Sequence, residues 1–388
     1  MTTANMDDAW EVAAAIDRAS KAGQHDEAFG LADRGLARHP DSGRLRGAKA
    51  WALYRRDIGS LGDTPDLEHR RRAKRALDEI TDLVAEERYG SFSPVIRGTL
   101  RFSQALLERY PTAALDILRS LDESQLDGTP SQDFPSDRGQ WYLKVTSALK
   151  ALERWEELVT TTSVALESSS LRPDDEVWIR HRLGLAFLKQ DRPVEALEHL
   201  RAARARKAEW WLDLLIAEAL IGLARTDEAT ATLARVASDK LRSPFAYRVF
   251  TLLGDLLSPG DRDAAGTFIQ QARYLRTKAG WPADAQTEAI AERLDVELTP
   301  EVEPDHAALR SALADLSRAQ RVEGTVAKVL ANGGSGFLAL EDGTSLYFSM
   351  APGETAPADG TRVSFEVIDS YDKKKDRPSQ KAVDVRSV

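Results

Sequence analysis

The chain has no cysteine in 388 residues. That absence excludes disulfides, thiolate zinc sites, iron–sulfur ligation and a cysteine nucleophile together, and it fits a reducing cytoplasm. Six histidines, His25, His39, His69, His181, His199 and His306, are scattered without metal-ligand spacing, so no metal is expected. There is no phosphate-cradling glycine loop and no Gly-x-Ser-x-Gly elbow. No catalytic residue and no cofactor is nominated, and a non-catalytic role is expected. No run reaches the roughly 18 to 20 apolar residues that cross a bilayer. Met1 to Asp8 carries Asp7 and Asp8 and lacks a basic segment followed by an apolar one, so no secretory signal is expected. These features together predict a soluble, cytoplasmic protein without membrane contact.

A basic excess is also missing. Net charge is −9, and the last stretch, 321–388, holds 9 basic and 10 acidic residues. Any nucleic-acid contact must therefore be local rather than a broad electrostatic footprint. Hydrophobic residues make up 42% and charged residues 30%, the balance of a folded chain with much wetted surface. Its length exceeds one ordinary core, which implies several domains or an elongated array.

What is present is a recurring arithmetic of small and bulky residues. The clearest copy is Gly184, Phe187, Ala196, Leu200 and Ala203, with helical periodicity on both sides of the turn Gln190-Asp191-Arg192-Pro193. Two antiparallel helices approach closely only where one presents Gly or Ala to the other's bulky side chain, and i, i+4, i+7 spacing puts such residues on one face. Further copies are Ala28, Ala32, Gly35; Ala114, Leu118, Leu121; Leu158, Thr162, Ala165; Ala229, Leu233, Val236; and Ala265, Ile269, Ala272. Another pair is expected at Leu45 to Arg55 and Leu67 to Val84, joined by a loop from Gly59 to Asp66, while Asp122 to Gly139 reads as a long loop.

In period and motif, Ala9 to Ala279 resembles the tetratricopeptide repeat family, whose unit is about 34 residues. The resemblance implies an α-solenoid of antiparallel helix pairs whose extended groove holds a protein partner; the competing reading is an irregular bundle without a groove. On the helix Val177 to Lys189, Trp178, His181, Arg182 and Leu185 form a stripe distinct from Gly184 and Phe187, and they are the candidate protein-binding groove, with packing on the neighbouring repeat as the alternative. Trp210 and Trp211 carry the same ambiguity. The basic runs His69 to Arg75 and Arg201, Arg204, Arg206, Lys207 read either as phosphate contacts or, given acidic neighbours such as Asp78 and Glu198, as solvated helix faces.

The composition changes at Thr299-Pro300-Glu301-Val302-Glu303-Pro304, where two prolines break any helix. A helix from His306 to Gln320 follows, then a switch to alternating periodicity. Five strands are expected: Val322–Leu330, Gly336–Leu340, Ser345–Ser349, Arg362–Ile368 and Lys381–Arg386. Turns fall at Asn332-Gly333-Gly334, Asp342-Gly343 and Asp359-Gly360. This division predicts a helical repeat array over 1–296, a linker and helix over 297–320, and a small five-stranded OB-type β-barrel over 321–388.

The segments Gly324-Thr325-Val326, Gly334-Ser335-Gly336-Phe337-Leu338-Ala339, Glu341-Asp342-Gly343 and Arg362-Val363-Ser364-Phe365-Glu366-Val367 make this barrel resemble a cold-shock domain. That resemblance implies binding of RNA or single-stranded DNA by stacking bases on aromatics, with lysines on phosphates. Phe337 and Tyr347 stand at matching positions, whereas Lys328, Ser335 and Ser349 replace platform groups of the family. The candidate nucleic-acid residues are Lys328, Phe337, Tyr347, Lys373, Lys374, Lys375 and Lys381. Two functions stay open: a scaffold or adaptor with a protein in its groove and weak nucleic-acid affinity at its barrel, or a purely protein-binding module or regulatory subunit whose barrel has lost that affinity.

Overall fold

The computed structural model describes residues 6–85, 89, 92–130, 134–318, 321–350, 353–372 and 377–388, and the chain divides into two compact units, 1–182 and 183–388. The first unit contains α1 (Ala9–Lys21), α2 (His25–Arg38), α3 (Gly43–Leu53), α4 (Leu67–Leu83), α5 (Pro94–Leu106), α6 (Pro111–Arg119), α7 (Asp137–Ala151) and α8 (Trp155–Glu167). The unit boundary falls inside α9 (Pro173–Lys189). The second unit continues with α10 (Pro193–Arg206), α11 (Trp210–Gly222), α12 (Thr226–Asp239), α13 (Tyr247–Leu257), α14 (Arg262–Lys278), α15 (Ala285–Leu294) and α16 (His306–Arg318).

Each unit is built from antiparallel helix pairs, and the small-to-bulky arithmetic is what closes them. A Cβ added at Gly184 would lie 2.5 Å from Leu200 Cγ, and one at Gly254 would lie 2.6 Å from Ile269, so both second helices press on a glycine of the first. The i, i+4, i+7 residues of the second helices are buried in every copy: Ala28, Ala32 and Gly35 in α2; Ala114 and Leu118 in α6; Leu158, Thr162 and Ala165 in α8; Ala196, Leu200 and Ala203 in α10; Ala229, Leu233 and Val236 in α12; Ala265, Ile269 and Ala272 in α14. The pair expected at Leu45 to Val84 forms as α3 and α4 and carries its own copy at Ala73, Leu77 and Ile80. In the first unit, first helices also touch one another, α1 on α3, α3 on α5 and α5 on α7, while α2 packs on α3, α4 on α5 and α6 on α7. That is the stacking of a solenoid.

Four of the hairpin turns share one backbone device. The amides of Gln24, Arg154, Arg192 and Arg225 donate to the carbonyls of Ala19, Leu149, Phe187 and Leu220 at 2.9, 3.0, 2.9 and 2.9 Å. The residue before each, Gly23, Glu153, Asp191 and Ala224, has φ between 54° and 77°, which caps the preceding helix in the left-handed conformation. Three of the second helices then repeat an arginine followed three residues later by glutamate, in the ion pairs Arg154–Glu157, Arg192–Glu195 and Arg225–Glu228.

Departures from expectation are local. The α3 helix ends at Leu53 and continues as a π-helical turn, Tyr54–Ile58, rather than as regular helix to Arg55. The long loop ends earlier than Gly139, because Ser136 caps α7 by accepting from the Gly139 amide at 2.9 Å, and a 3-10 turn at Glu123–Gln125 interrupts it. Of the helix expected over His306 to Gln320, residues 319 and 320 lie outside those described.

The second unit ends in a closed five-stranded barrel: β1 (Val322–Val329), β2 (Ser335–Ala339), β3 (Ser345–Ser349), β4 (Arg362–Asp372) and β5 (Arg377–Ser387), in the order β1-β2-β3-β5-β4. One pair, β3 with β5, is parallel and the others are antiparallel, which is OB-type topology. The core is Val326, Leu338, Leu346, Phe348, Val363, Phe365, Ala382 and Val385. Gly336 is required there, since a Cβ would meet the Lys328 carbonyl at 2.3 Å. Gly333, Gly343 and Gly360 take positive φ in the three expected turns. In the same unit α16 packs on α12 and α14, and β4 and β5 lie against α10.

Candidate functional site

Two faces of this chain gather side chains able to hold a ligand. The first lies in unit one, where the first helices of successive hairpins adjoin. Arg97, Arg101 and Gln104 follow i, i+4, i+7 on α5, and Asp137, Gln140 and Lys144 run along one face of α7, so each set forms a stripe. With Tyr54 from the π turn they line a cleft of about 230 Å³.

The cations of this face are held by neutral oxygens. Lys144 Nζ donates to Gln104 Oε1 at 2.8 Å, Arg101 donates to the Leu61 carbonyl, and Arg182 Nη1 donates to the Leu143 carbonyl at 2.7 Å and to Thr146 Oγ1 at 2.8 Å. The Arg97 guanidinium lies over the rings of Trp51 and Phe92 at 6.0 and 5.4 Å. Among the described residues none of these four cations forms a carboxylate ion pair within 4.0 Å. Burial, then the charges of Arg101 and Arg182, pull the Lys144 ammonium down to about 8. Burial alone lowers Arg182 to about 10, and burial with the nearby Arg182 lowers Lys150. One carboxyl lines the cleft, Asp137, raised by burial against the opposing pull of Arg97.

The predicted groove stripe meets this face at one end only. Arg182 is the half-buried cation just described. His181 is half-buried, and desolvation with the charges of Lys150 and Arg182 pushes it down to about 3, so it is neutral at pH 7. Trp178 is 40% exposed, its ring edge-on to His181 at 6.1 Å, and Leu185 is half-buried. Arg97, Arg101, Gln104 and Lys144 were not among the sequence candidates, although the i, i+4, i+7 stripe of α5 was readable.

The two basic runs have a different environment. Arg72 and Arg56 share the buried Asp57 at 2.7 Å each, Lys74 pairs with Asp78 at 2.6 Å, His69 with Asp66 at 2.8 Å, and Arg70 lies 4.0 Å over the Tyr110 ring. In the second run Arg204 pairs with Asp213 at 2.8 Å and Lys207 with Glu209 at 3.3 Å. Most of these cations are held in ion pairs or over a ring.

The second face is on the barrel. Lys328 is paired with Phe337, Phe337 with Tyr347, and Tyr347 with Lys381, so four candidates stand in one row across β1, β2, β3 and β5. Cross-strand partners share a face of the sheet. Phe337 and Tyr347 are 38% and 39% exposed and meet edge to face at 5.8 Å, while Phe348 points into the core. Ser335 and Ser349 are paired across β2 and β3, and Ser335 is buried, bonded to Asn332 Oδ1 at 3.0 Å. Lys373, Lys374 and Lys375 lie outside the described residues.

No protein-family model and no curated protein matches the chain. Among solved structures it is similar to a double mutant of MamA from RS-1, at 19% identity over 47% of this chain and 96% of that one, with a TM-score of 0.40. It is similar to YrrB, described as a tetratricopeptide protein with an unusual peptide-binding site, at 18% identity over 55% and 97%, with a TM-score of 0.39. The tetratricopeptide TPR2AB domain of yeast Sti1 in complex with pHSP90 matches at 14% identity over 79% and 98%, with a TM-score of 0.28. The architecture described above stands on this chain's own hairpins and barrel. No described helix is long and apolar enough to cross a membrane.

Proposed function

We propose that this protein is a non-catalytic adaptor: the first-helix face of its repeat array holds a segment of a protein partner, and its barrel adds weak affinity for RNA or single-stranded DNA. In this reading the array spans 1–296, a linker and helix 297–320, and the barrel 321–388. The observation that carries it is the cleft between α5 and α7, where hydrogen-bonding side chains and cations without carboxylate partners line one continuous face. Surfaces that only pack do not keep such groups, because a half-buried cation costs free energy until an anion joins it.

The barrel half is supported by the row Lys328, Phe337, Tyr347, Lys381, which alternates charge, two rings and charge across four strands. Each stacked base contributes about 1–3 kcal/mol. Two rings instead of a full platform put the affinity in a weak range, and Lys373 to Lys375 would add phosphate contacts. A photo-crosslinker placed at Gln104 or Gln140 of the full chain, activated in the native host, should capture a protein; no capture from either position overturns the groove. Titration of a labelled mixed-sequence single strand at low salt should show binding that Phe337→Ala with Tyr347→Ala removes. Absence of binding, or indifference to the double variant, leaves the barrel as a protein-contact module.

A further inference from the structure

We infer that the cavity between α10, α11 and α12 and the barrel strands β4 and β5 binds a nucleoside monophosphate, its phosphate on Arg204 and Arg235 and its base against Ile216, Leu220 and Val367. The site lies in the second unit, apart from the α5–α7 cleft, and it requires neither a peptide in the groove nor bases on the barrel row.

Three observations point to it. First, two guanidinium groups share one acid. Arg204 Nε donates to Asp213 Oδ1 at 2.8 Å, and Arg235 Nη2 approaches the same oxygen at 3.5 Å. The side chains of Arg204 and Asp213 are 12% and 9% exposed, so both are largely withdrawn from water. A guanidinium carries five N–H donors, and both arginines line the cavity. Asp213 therefore holds two adjacent forks in place while leaving most of their donors to a second anion, and phosphate is an anion whose geometry such forks match. Glu228, the other lining carboxylate, is engaged by Arg225 at 2.6 Å. Glu366 on β4 is half-buried, and burial raises it against the pull of Arg235, with which it makes no ion pair.

Second, the lining changes character along one helix. Asp213, Ile216 and Leu220 follow i, i+3, i+7 on α11, so the charged end grades into aliphatic side chains. Val367 of β4 adds to the apolar lining, and Gln380 of β5 brings a donor and an acceptor of the kind a base edge pairs with. An inorganic anion uses the arginines alone, and an acidic side chain brings no flat apolar body. A nucleotide uses both ends.

Third, the wall is shared by helices of the array and strands of the barrel, and ligand sites concentrate where two domains meet. The volume, about 270 Å³, lies just under the roughly 300 Å³ at which drug-sized pockets begin, which suits one nucleotide rather than two. Gln380 adjoins Lys381, the last member of the row Lys328, Phe337, Tyr347, Lys381. The same chemistry therefore has two sources: a free monophosphate, or the phosphorylated end of a strand lying on that row.

The test is isothermal titration calorimetry of the full chain with AMP, CMP, adenosine, inorganic phosphate, and a short RNA carrying either a phosphate or a hydroxyl at its 5′ end. AMP or CMP should bind about tenfold more tightly than adenosine or phosphate, and Arg204→Gln and Arg235→Gln should each lose about tenfold, the worth of one charge-assisted hydrogen bond. Gln380→Glu changes an exposed barrel residue and sets an anion against the phosphate. It should lose at least as much with an unchanged melting temperature, which keeps the test decisive where an arginine variant fails to fold. AMP binding untouched by Phe337→Ala with Tyr347→Ala assigns a free nucleotide; binding of the 5′-phosphate RNA alone, lost in that double variant, assigns a strand end. Inorganic phosphate bound as tightly as AMP, wild-type affinity in Gln380→Glu and both arginine variants, or no nucleotide bound in either form would overturn the site. RNA held by Phe337 and Tyr347 without preference for the 5′-phosphate, and with no AMP binding, would overturn it too while leaving the barrel reading in place.

Discussion

The cations of α4 and those of the α5–α7 cleft lie in one structural unit and in opposite company. On α4, Arg72 and Lys74 each end on a carboxylate, and Asp57 is buried beneath two guanidinium groups. In the cleft, Arg101 and Lys144 end on neutral oxygens, as does Arg182 on α9. The first arrangement is complete and contributes to folding. The second holds charges that repel one another, stable only because the helices around them are closed by other contacts. A density of basic residues along the chain therefore says little about where positive potential is left over; the missing acid decides.

The largest effect expected concerns those closing contacts. Gly184→Val should destabilise the chain by about 3 kcal/mol, read as a lower denaturant midpoint, since the new methyls drive into Leu200. A silent substitution would mean that the hairpins close by something other than this small-to-bulky fit.

Next comes the pair that sharpens the contrast. Asp57→Ala should cost about 2 kcal/mol, because it strands Arg56 and Arg72 beside a buried site. Lys144→Met should cost nothing or stabilise the fold, by up to about 1 kcal/mol at pH 7, as it removes a half-buried charge that forms no ion pair. If both variants destabilise alike, the two sets of cations are not different in kind.

The alkaline limb tests the same point without mutation. The Lys144 ammonium sits at about 8 when folded, below its ordinary 10.5. Between those values the unfolded chain binds the extra proton, so this residue's contribution to stability rises with pH through that window. Lys144→Met should flatten that rise in urea titrations at pH 8 and pH 10. The smallest effect belongs to the turns: Ala224 holds φ 56°, and Ala224→Gly should gain roughly 0.5–1 kcal/mol, or a few degrees of melting temperature, by relieving the left-handed cost.

Much of the architecture was readable because it follows from spacing. Small residues at i, i+4 and i+7 located six of the second helices and proved buried, and alternation with Gly-containing turns located all five strands. The π turn at Tyr54–Ile58 was not readable, since nothing in Tyr-Arg-Arg-Asp-Ile distinguishes an extra residue per turn from regular helix. The shared arginine and glutamate of the second helices were readable but hidden by ordinary surface charge. The cleft was missed for a physical reason: Arg97, Arg101 and Lys144 are dispersed over two helices and meet only when the hairpins stack. Of the stripe Trp178, His181, Arg182, Leu185, none lines the cleft: Arg182 is half-buried on oxygens of α7, and Trp178 remains partly exposed.

The central claim is that the cleft keeps half-buried positive charge outside any ion pair, and titration of the Lys144 side chain by heteronuclear NMR tests it most directly. A midpoint near 8 is expected, well below the ordinary 10.5 of a lysine. A midpoint near 10.5 would contradict it.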